Sequence, residues 1–389
     1  MVKVTRPAIG EGFCFAKSAA KVPKSRVVTP LQGRQKAVPS RLVLRRLMQD
    51  IQELKHYLGQ PRRIVIVTHA RPDGDAVGSS LGLYHYLMLR GHEVRVVVPN
   101  AYAEFYRWLP GEETIVDHQK SGAAAALLLD DAELIFCLDF NVPARLETLA
   151  PKLLKASATR VLIDHHRDPE HFTRYVWHDT AASSTAELVY TFLGEMGELS
   201  WLNRDAATCL YVGLMTDTGS FRYSNTTPQT LRVAAALLEF GLDVEGIYER
   251  IFHTFSEDRL RFFGHCLVNK MQVFPEHRTG LITVTQEELD QFRVKTGDTE
   301  GLVNYPLSMS GIVFAVLLID RGNLRKMSFR SKGDFNVDQF ARDHFSGGGH
   351  RNASGGVSTE SLEAVQQKFI ALLPQTAGLS EIALPPTSS

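Results

Sequence analysis

Short apolar runs alternate with longer segments of helical periodicity between residues 62 and 165. The runs have the length and the Val, Ile and Leu content of buried strands, whereas the longer segments repeat apolar residues every three or four positions. The strand-like runs are 64–68, 93–98, 134–138 and 161–163, and the helix-like segments are 76–90 and 144–154. Alternation at this spacing predicts an α/β domain with a doubly wound, mostly parallel sheet and helices on both faces.

Acidic and histidine side chains follow three of these runs, where each strand is expected to end. They are His69, Asp73, Asp75, Asp139, Asp164, His165 and His166. Because ligands of a parallel sheet bind beyond the carboxyl ends of its strands, we expect these side chains to converge although they are distant in sequence. Carboxylate oxygens and imidazole nitrogens together bind divalent cations. The pattern indicates a metal-dependent hydrolase.

Each motif also has an ordinary structural explanation when it is considered alone. Asp73 can cap the helix that follows it, Asp139 can be a solvated loop acid, and adjacent histidines can lie on the surface. Asp217, a further candidate ligand, stands at the end of a helical segment, where solvated aspartates are common. The residues 221–223 that follow it can stack on a nucleotide base or pack beneath the loop.

A chain of 389 residues exceeds the usual size of a single hydrophobic core, which favours two domains. After residue 275 the pattern changes to strands at 281–285, 312–319 and 324–330 and helices at 286–294, 337–344 and 362–373. We predict a basic disordered leader (1–47), a catalytic domain (48–240), a helical connector (241–275), a smaller α/β domain (276–375) and a flexible tail (376–389). Alternatively, translation begins at Met48, immediately before the first amphipathic helix.

A glycine-rich segment occupies residues 346–356, near the end of the second domain. Its backbone amides could surround a phosphate, while His350 and Arg351 add positive charge. A flexible loop between domains is the alternative explanation.

Charge and cysteine content exclude several classes of protein. Residues 1–46 hold eleven Lys or Arg and one acid, Glu11, which leaves 32 basic and 42 acidic residues elsewhere and argues against a broad DNA-binding surface. The four cysteines are scattered, which argues against a disulfide framework or a cysteine zinc site and favours a reducing, cytoplasmic setting. The longest apolar stretch, 312–319, is far shorter than the roughly 20 residues of a membrane-spanning helix.

The aspartate and histidine motifs, taken in their order along the chain, resemble those of the DHH phosphoesterase superfamily, and segment 347–356 resembles its DHH-associated C-terminal domain. The resemblance covers about residues 49–375. Chain length and the lack of appended domains are most similar to the NrnA-type branch, which degrades very short RNAs and removes a phosphate from 3′-phosphoadenosine 5′-phosphate (pAp). Pyrophosphatases of the superfamily lack the glycine–histidine segment, and its full-length single-strand exonucleases carry further domains.

The resemblance implies two Mn²⁺ ions, for which Mg²⁺ or Co²⁺ could substitute. It assigns one ion to His69, Asp73 and Asp139, and the other to Asp75, Asp139, His165 and Asp217, so that Asp139 bridges the pair. Asp164 would orient a histidine, and His166 would lie near the scissile phosphate. The implied substrate-binding residues are Arg330, Gly348, Gly349, His350, Arg351 and Ser354.

We therefore expect an Mn²⁺-dependent phosphoesterase that acts on oligoribonucleotides of a few residues and on pAp. The enzymatic alternative is a phosphodiesterase for linear dinucleotides from cyclic-dinucleotide signalling, and the non-enzymatic alternative is a nucleotide-binding module. The expected partners are short single-stranded RNA and 3′,5′-bisphosphate nucleotides. Neither a membrane nor a stable protein partner is expected, apart from a second copy of the chain in a homodimer.

Overall fold

Two six-stranded sheets organise residues 50–376, which are the residues that this computed structural model describes. These residues belong to one compact unit that begins at Gln49. The predicted leader, the start at Met48 and nearly all of the predicted tail lie outside the described residues.

The first sheet is entirely parallel, and its strand order is β3-β2-β1-β4-β5-β6. Its strands are β1 (Arg63–Thr68), β2 (Glu93–Val98), β3 (Ile115–Asp117), β4 (Leu134–Leu138), β5 (Thr159–Asp164) and β6 (Tyr175–His178). Ile66 at its centre pairs with Val96 on one side and with Phe136 on the other. The chain winds outward from β1 and β4, so the crevice between their carboxyl ends is the expected ligand site. The predicted fold class is confirmed.

Seven helices accompany this sheet within the described residues. They are α1 (50–57), α2 (Gly74–Leu89), α3 (Gly122–Asp131), α4 (Ala150–Lys155), α5 (Thr185–Glu195), α6 (Arg204–Asp217) and α7 (Pro228–Leu238). Leu129 of α3 and Leu153 of α4 pack against the buried side chains of β1, β4 and β5 in one apolar cluster. Helices α2 and α5 contact the sheet, and both pack against α6.

The predicted helix 144–154 is wrong as a single element. The chain instead forms a 3₁₀-helix, Pro143–Leu149, which contains Glu147 at φ 50°, and then α4. The break lies at Glu147, whereas Pro151 is accommodated in the first turn of α4, where its missing N–H has no partner within the helix.

Helices α2 and α6 cross at glycines, which lets their backbones approach closely. A Cβ atom on Gly78 would lie 2.5 Å from the Cys209 carbonyl oxygen and 2.7 Å from the Gly213 nitrogen. A Cβ atom on Gly213 would lie 2.9 Å from Oδ1 of Asp75. Because real Cβ atoms do not approach this closely, glycine at this crossing sets how near the start of α2 lies to the end of α6.

The second sheet is mixed, with strand order β11-β12-β10-β9-β8-β7. Its strands are β7 (Met271–Phe274), β8 (Thr279–Val284), β9 (Phe314–Asp320), β10 (Arg325–Ser331), β11 (Gly348–His350) and β12 (Ala353–Ser358). Its helices, with those that lead into it, are α8 (Val244–Phe252), α9 (Glu257–His265), α10 (Gln286–Gln291), α11 (Val337–His344) and α12 (Leu362–Leu372). Only β8 and β9 run parallel, and the other neighbours are antiparallel.

Two separate cores cover the faces of this second sheet. Phe314 and Phe329 pack with Phe340 of α11 and Phe369 of α12 on one face. Residues of α9 and α10 cover β8 and β9 on the other face. The strand residues of that second core come from β8 and β9, and the 3₁₀-helix Leu302–Asn304, which is part of it, also contacts β10.

The predicted glycine loop is also corrected, because it forms the hairpin of β11 and β12. Gly348 pairs with Gly355, and Gly349 pairs with Ser354. A Cβ atom on Gly347 would lie 2.0 Å from the Gly355 carbonyl oxygen, so glycine is required for the strands to approach. Within residues 50–376, no helix has the length and apolar character needed to cross a bilayer.

Candidate metal centre and active site

The loop after β1 starts the site. Oδ1 of Asp73 accepts hydrogen bonds from the backbone amides of Asp75 and Ala76, at 3.1 and 3.0 Å, so Asp73 does cap α2. Its side chain remains half exposed, and Oδ1 also lies 3.8 Å from Nε2 of His69. The capping explanation and the ligand explanation are therefore compatible for this residue.

Asp75 is buried at the amino terminus of α5. Its two oxygens accept hydrogen bonds from the amides of Thr185 (2.6 Å) and Ala186 (2.9 Å), where the helix dipole favours a negative charge. Burial, together with the nearby Asp139 and Asp217 carboxylates, nevertheless raises the pKa of Asp75 well above its ordinary value. The α5 terminus thus fixes the direction of the carboxylate without supplying a full compensating charge.

Asp139 lies at the centre of the site, directly after β4. Its side chain is 2 % exposed, and its φ of 65° is strained for a residue with a Cβ atom, as is common at functional sites. Thr185 Oγ1 donates to its Oδ1 (2.9 Å), while Nε2 of His69 lies 3.3 Å from Oδ2 and Nε2 of His165 lies 3.5 Å from Oδ1. Burial acts to raise its pKa, but the surrounding histidines outweigh burial and hold the pKa of Asp139 well below its ordinary value.

The rings of His69 and His165 are oriented in the same way. Nδ1 of His69 lies 2.9 Å from the Ala70 carbonyl oxygen, and Nδ1 of His165 lies 3.4 Å from the Ala182 carbonyl oxygen. Because a carbonyl only accepts, each Nδ1 carries a proton, which leaves each Nε2 as the atom that presents a lone pair once it is deprotonated. Both Nε2 atoms face the carboxylates, which is the arrangement of histidines that bind metals.

Two groups of ligand atoms result, with the atoms of each group within 4.8 Å of one another. One group is His69, Asp73 and Asp139, and the other is Asp75, His165 and Asp217. Asp139 connects them through its contact with His165. The structure therefore brings together all six residues predicted as metal ligands, with Asp139 in the first group and in contact with His165 of the second.

Buried atoms that lack hydrogen-bond partners test whether divalent cations fit this site. Nε2 of His69 and Oδ2 of Asp217 are buried and make no hydrogen bond within the described structure. Burial and the Asp73 and Asp139 carboxylates raise the pKa of Asp217 to about 7, although His165 opposes them. Buried polar atoms are nearly always satisfied, so unpartnered nitrogen and oxygen atoms beside clustered carboxylates fit divalent cations.

Asp164 holds His166 rather than His165. Its Oδ1 lies 2.7 Å from Nδ1 of His166, and its Oδ2 accepts the His166 backbone amide at 3.1 Å. The ring of His166 crosses that of His165 at 72°, so the adjacent histidines diverge, as expected for strand-end residues. The structure thus matches the predicted orienting contact and identifies the histidine that receives it.

Arg145 is a site residue that the sequence reasoning missed. Its Nη1 lies 3.0 Å from Nε2 of His166 and also donates to the Asp139 carbonyl oxygen at 3.3 Å. Burial and this guanidinium lower the pKa of His166. A basic residue in the short segment after β4 was the available signal. Ser184 and Thr185 were a second signal, because Ser-Thr pairs mark helix starts.

His350 enters the site from the second sheet. Its ring stacks on His166, with centroids 5.0 Å apart and planes at 15°, and meets the edge of His165 at 4.8 Å. Its buried Nε2 has no hydrogen-bond partner in residues 50–376. Burial, with His165 and His166 nearby, lowers the pKa of His350 to about 2. Arg330 is the other predicted residue of the second sheet that approaches the centre, since its electrostatic neighbours are Tyr223, Asp217 and Asp73.

Three predicted substrate contacts are engaged elsewhere in this structure. Arg351 pairs with Asp334, with Nη2 2.9 Å from Oδ1, and the Ser354 hydroxyl donates to the Val337 carbonyl oxygen at 2.7 Å. The Gly349 amide donates to Oδ1 of Asp338 at 2.8 Å. The hairpin therefore uses these groups to dock on α11, and the interpretation that its amides surround a phosphate is not supported at Gly349.

Two explanations were given for residues 221–223, stacking on a base and packing beneath the loop, and each applies to a different residue. The ring of Phe221 lies 6.0 Å from that of Tyr211, so Phe221 packs against α6. Tyr223 is 40 % exposed, and its hydroxyl oxygen accepts from Asn304 of the second domain at 3.4 Å. Of the two aromatic residues in 221–223, Tyr223 has the surface that a base could stack on.

Comparison with known proteins agrees with this geometry. Residues 63–214 match the DHH family N-terminal domain, and residues 280–376 match the DHHA1 domain. The chain is 32% identical over 293 residues to the bifunctional oligoribonuclease and PAP phosphatase NrnA of Thermus thermophilus, covering 75% of this chain and 83% of that protein. NrnA of Bacillus subtilis is 28% identical over 293 residues, covering 75% and 88%.

A solved structure gives the same picture. An exopolyphosphatase-related protein from Bacteroides fragilis superposes with a TM-score of 0.80 at 37% sequence identity, covering 85% of this chain and 98% of that one. The chain belongs to the DHH family and is a phosphoesterase of that family. The predicted resemblance is confirmed.

Proposed function

We propose that the chain hydrolyses very short oligoribonucleotides to mononucleotides and removes a phosphate from pAp, with two Mn²⁺ ions as cofactors. The observation that carries the proposal is the pair of carboxylate and histidine groups joined through Asp139, in which buried ligand atoms lack partners. The activities named for the Thermus and Bacillus relatives support this choice of substrates.

In this proposal His69, Asp73 and Asp139 hold one cation, while Asp75, Asp139, His165 and Asp217 hold the other. Mixed carboxylate and imidazole ligation suits Mn²⁺, whereas zinc sites have fewer carboxylates and lower coordination. When bound there, divalent cations stabilise charge on phosphoryl oxygens and make water a stronger nucleophile.

The protein itself contributes a fixed positive charge beside the scissile phosphate. The Asp164 carboxylate keeps the proton of His166 on Nδ1, so Nε2 accepts from Arg145. His166 therefore positions the Arg145 guanidinium rather than donating a proton in this arrangement. A preorganised guanidinium in a buried site stabilises the charge that develops on the phosphoryl group.

The second domain closes the site and limits the substrate. His350 covers both adjacent histidines, and Arg330 faces the carboxylates of Asp73 and Asp217. A phosphate between Arg330 and the cations would complete the charge balance on this side. A site bounded by side chains of both domains favours a single-stranded end over a long duplex.

The test is a substrate comparison with purified protein and Mn²⁺. Di- to pentaribonucleotides, pAp and linear diadenylate are incubated separately, and released mononucleotide and inorganic phosphate are quantified by ion-exchange chromatography. We expect mononucleotide from the oligoribonucleotides and phosphate from pAp. Turnover of linear diadenylate in preference to both would favour the dinucleotide alternative, and failure on all three would refute the proposal.

A further inference from the structure

Strand β10 carries a row of polar side chains on one face of the second sheet. Lys326, Ser328 and Arg330 alternate with Met327 and Phe329, which are buried in the aromatic core. Because successive strand residues point to opposite faces, the three polar residues share the face opposite the aromatic core, where the short 3₁₀-helix Leu302–Asn304 contacts β10. Lys326 is exposed, and the other two are half-buried.

On the neighbouring strand this face is lined by small side chains. Ala353 pairs with Arg330, and Gly355 pairs with Ser328. A Cβ atom on Gly355 would have only ordinary contact, 3.5 Å from the Met327 carbonyl oxygen, so space remains above it. The face is thus a shallow shelf with cations along one side.

Two further cations, Arg321 and Arg71, extend this row beyond Lys326 and away from the metal centre. Lys326 is four residues from Arg330, which corresponds to ~13 Å along a strand. Arg321 lies in the turn between β9 and β10, where its amide donates to the Leu324 carbonyl oxygen at 2.9 Å. Arg71 approaches from the first domain, in the same loop as Asp73. Both side chains keep solvent-exposed surface, yet desolvation by the surrounding protein atoms, followed by the nearby Arg71 guanidinium, lowers the pKa of both Arg321 and Lys326.

Carboxylates compensate the two cations of the hairpin only in part, since Glu300 is an electrostatic neighbour of Lys326. Within residues 50–376, neither Arg321 nor Lys326 makes an ion pair. Arg325, the neighbour of Lys326 on the opposite face, does pair with Asp320, with Nη1 3.3 Å from Oδ1. On β10, the cation without a direct ion pair, Lys326, therefore lies on the opposite face of the sheet from the Arg325–Asp320 pair.

Arg71 is held in place by its own set of contacts. Its guanidinium lies 2.7 Å from Oε1 of Glu147, and its amide donates to Asn100, whose side-chain amide donates to Oε2 of Glu147 at 3.1 Å. Arg71 and Glu147 both have positive φ, 55° and 50°. Residues other than glycine adopt this conformation at a cost of ~1 to 3 kcal/mol, and such strain concentrates at functional sites.

We propose that Arg71, Arg321 and Lys326 form a phosphate-binding strip that holds the phosphates of an oligoribonucleotide beyond the one at the metal centre. The inference rests on the proposed function and names the residues that distinguish its two substrates. Arg71 is paired with Glu147, and Lys326 has Glu300 as an electrostatic neighbour, so carboxylates balance only part of the positive charge along this row and a polyanion can balance the rest. A substrate with one nucleoside, such as pAp, occupies the centre and the Arg330 end, whereas a chain of several nucleotides continues along the strip.

The experiment compares the wild type with the double variant Arg321→Gln/Lys326→Gln. Binding of a fluorescein-labelled phosphorothioate pentaribonucleotide in EDTA is followed by fluorescence anisotropy at several salt concentrations. We expect about ten-fold weaker binding and a salt slope smaller by about 1.4, the value for two lost contacts to a single strand. With Mn²⁺, KM for the pentaribonucleotide should rise about ten-fold, with kcat and both constants for pAp within about two-fold.

Two matched variants control for the substitutions. Arg325→Gln removes a charge from the opposite face of the same strand, and Lys326→Arg keeps the charge, so both should bind the pentaribonucleotide like the wild type. Melting curves for all variants verify folding. Unchanged binding and salt slope in the double variant would overturn the strip, as would an equal loss for pAp. If the wild type bound the pentaribonucleotide but hydrolysed neither substrate, the proposed function would be refuted. The strip would then be judged from the binding data alone.

Discussion

The polar residues of the two sheets differ in whether their charges are balanced within the protein. In the first domain, Asp75, Asp139 and His165 are almost completely buried, yet their charges are not balanced within the protein. In the second domain, polar groups are mostly paired with one another, as Arg351 is with Asp334. The first domain is therefore incomplete without cations, whereas most of the second is self-sufficient.

This difference separates functional residues from structural ones. A buried atom without a partner, such as Nε2 of His69, costs folding free energy that only a ligand can return. A group that is satisfied, such as the Ser354 hydroxyl, already serves the fold. By this criterion His350 belongs with the site although it lies on the second sheet.

The largest expected effect is at the residue that joins the two ligand groups. Asp139→Asn keeps the shape of the side chain but removes the charge that faces His69 and His165. We expect kcat on pAp and on a trinucleotide to fall by ~10³-fold or more, because both cations would lose a ligand. Steady-state kinetics with saturating Mn²⁺ measure it.

The matched control is Asp117→Asn. Asp117 also ends a parallel strand of the first sheet, but it lies on the outermost strand and its Oδ1 accepts the Gln119 amide at 2.9 Å. Its substitution should leave kcat unchanged. If Asp139→Asn retained ligand binding and the wild type had no turnover to lose, the chain would be a binding module.

Cation binding should stabilise the protein through the first domain. Adding Mn²⁺ at about 100 times its dissociation constant contributes ~2.7 kcal/mol, which corresponds to a rise in Tm of about 5 °C. Differential scanning fluorimetry with and without EDTA tests this. Asp217→Asn should abolish most of the rise, whereas Asp338→Asn, in the second domain, should preserve it. Equal responses in the two variants would contradict the contrast between the domains.

The two arginines predicted to bind phosphate, Arg330 and Arg351, should differ in their effect on KM for pAp. Arg330 faces Asp73 and Asp217, whereas Arg351 is paired with Asp334. Loss of a charge-assisted contact to phosphate costs ~2 kcal/mol, so Arg330→Gln should raise KM for pAp by about 30-fold. Arg351→Gln should change it by about two-fold or less, as expected for an exposed ion pair. Equal effects would restore the original prediction for Arg351.

What the sequence could predict follows from strand geometry. Parallel strands bring their carboxyl ends to one edge of the sheet. Asp73, Asp139 and Asp164 are therefore expected to converge even where the predicted starts of the strands are inaccurate. An antiparallel hairpin sends alternate residues to opposite faces, so the sequence of residues 346–356 does not show which of them face the metal centre. Arg145 was hidden for another reason, because the pattern around it predicts one continuous helix, whereas the chain is interrupted at Glu147.

The smallest effect concerns a charge that the second domain balances internally. Glu288 accepts from His265 (3.0 Å) and the Thr285 amide (2.9 Å), and pairs with Lys270 (2.9 Å). Burial acts to raise its pKa, but these partners outweigh burial and hold the pKa of Glu288 below 4.5. A depressed carboxyl pKa stabilises the fold above the ordinary value, and the contribution disappears as the pH falls through the folded-state pKa.

Glu288→Gln should therefore lower stability by ~1 kcal/mol at pH 7 and by progressively less below pH 4.5. Melting temperatures of both proteins in EDTA, measured from pH 7 to pH 3.5, give the difference. Because both proteins keep the same metal centre, its own sensitivity to acid cancels when they are compared. A difference that grew on acidification would mean that Glu288 is destabilised by burial rather than satisfied by its partners, and the second domain would then resemble the first.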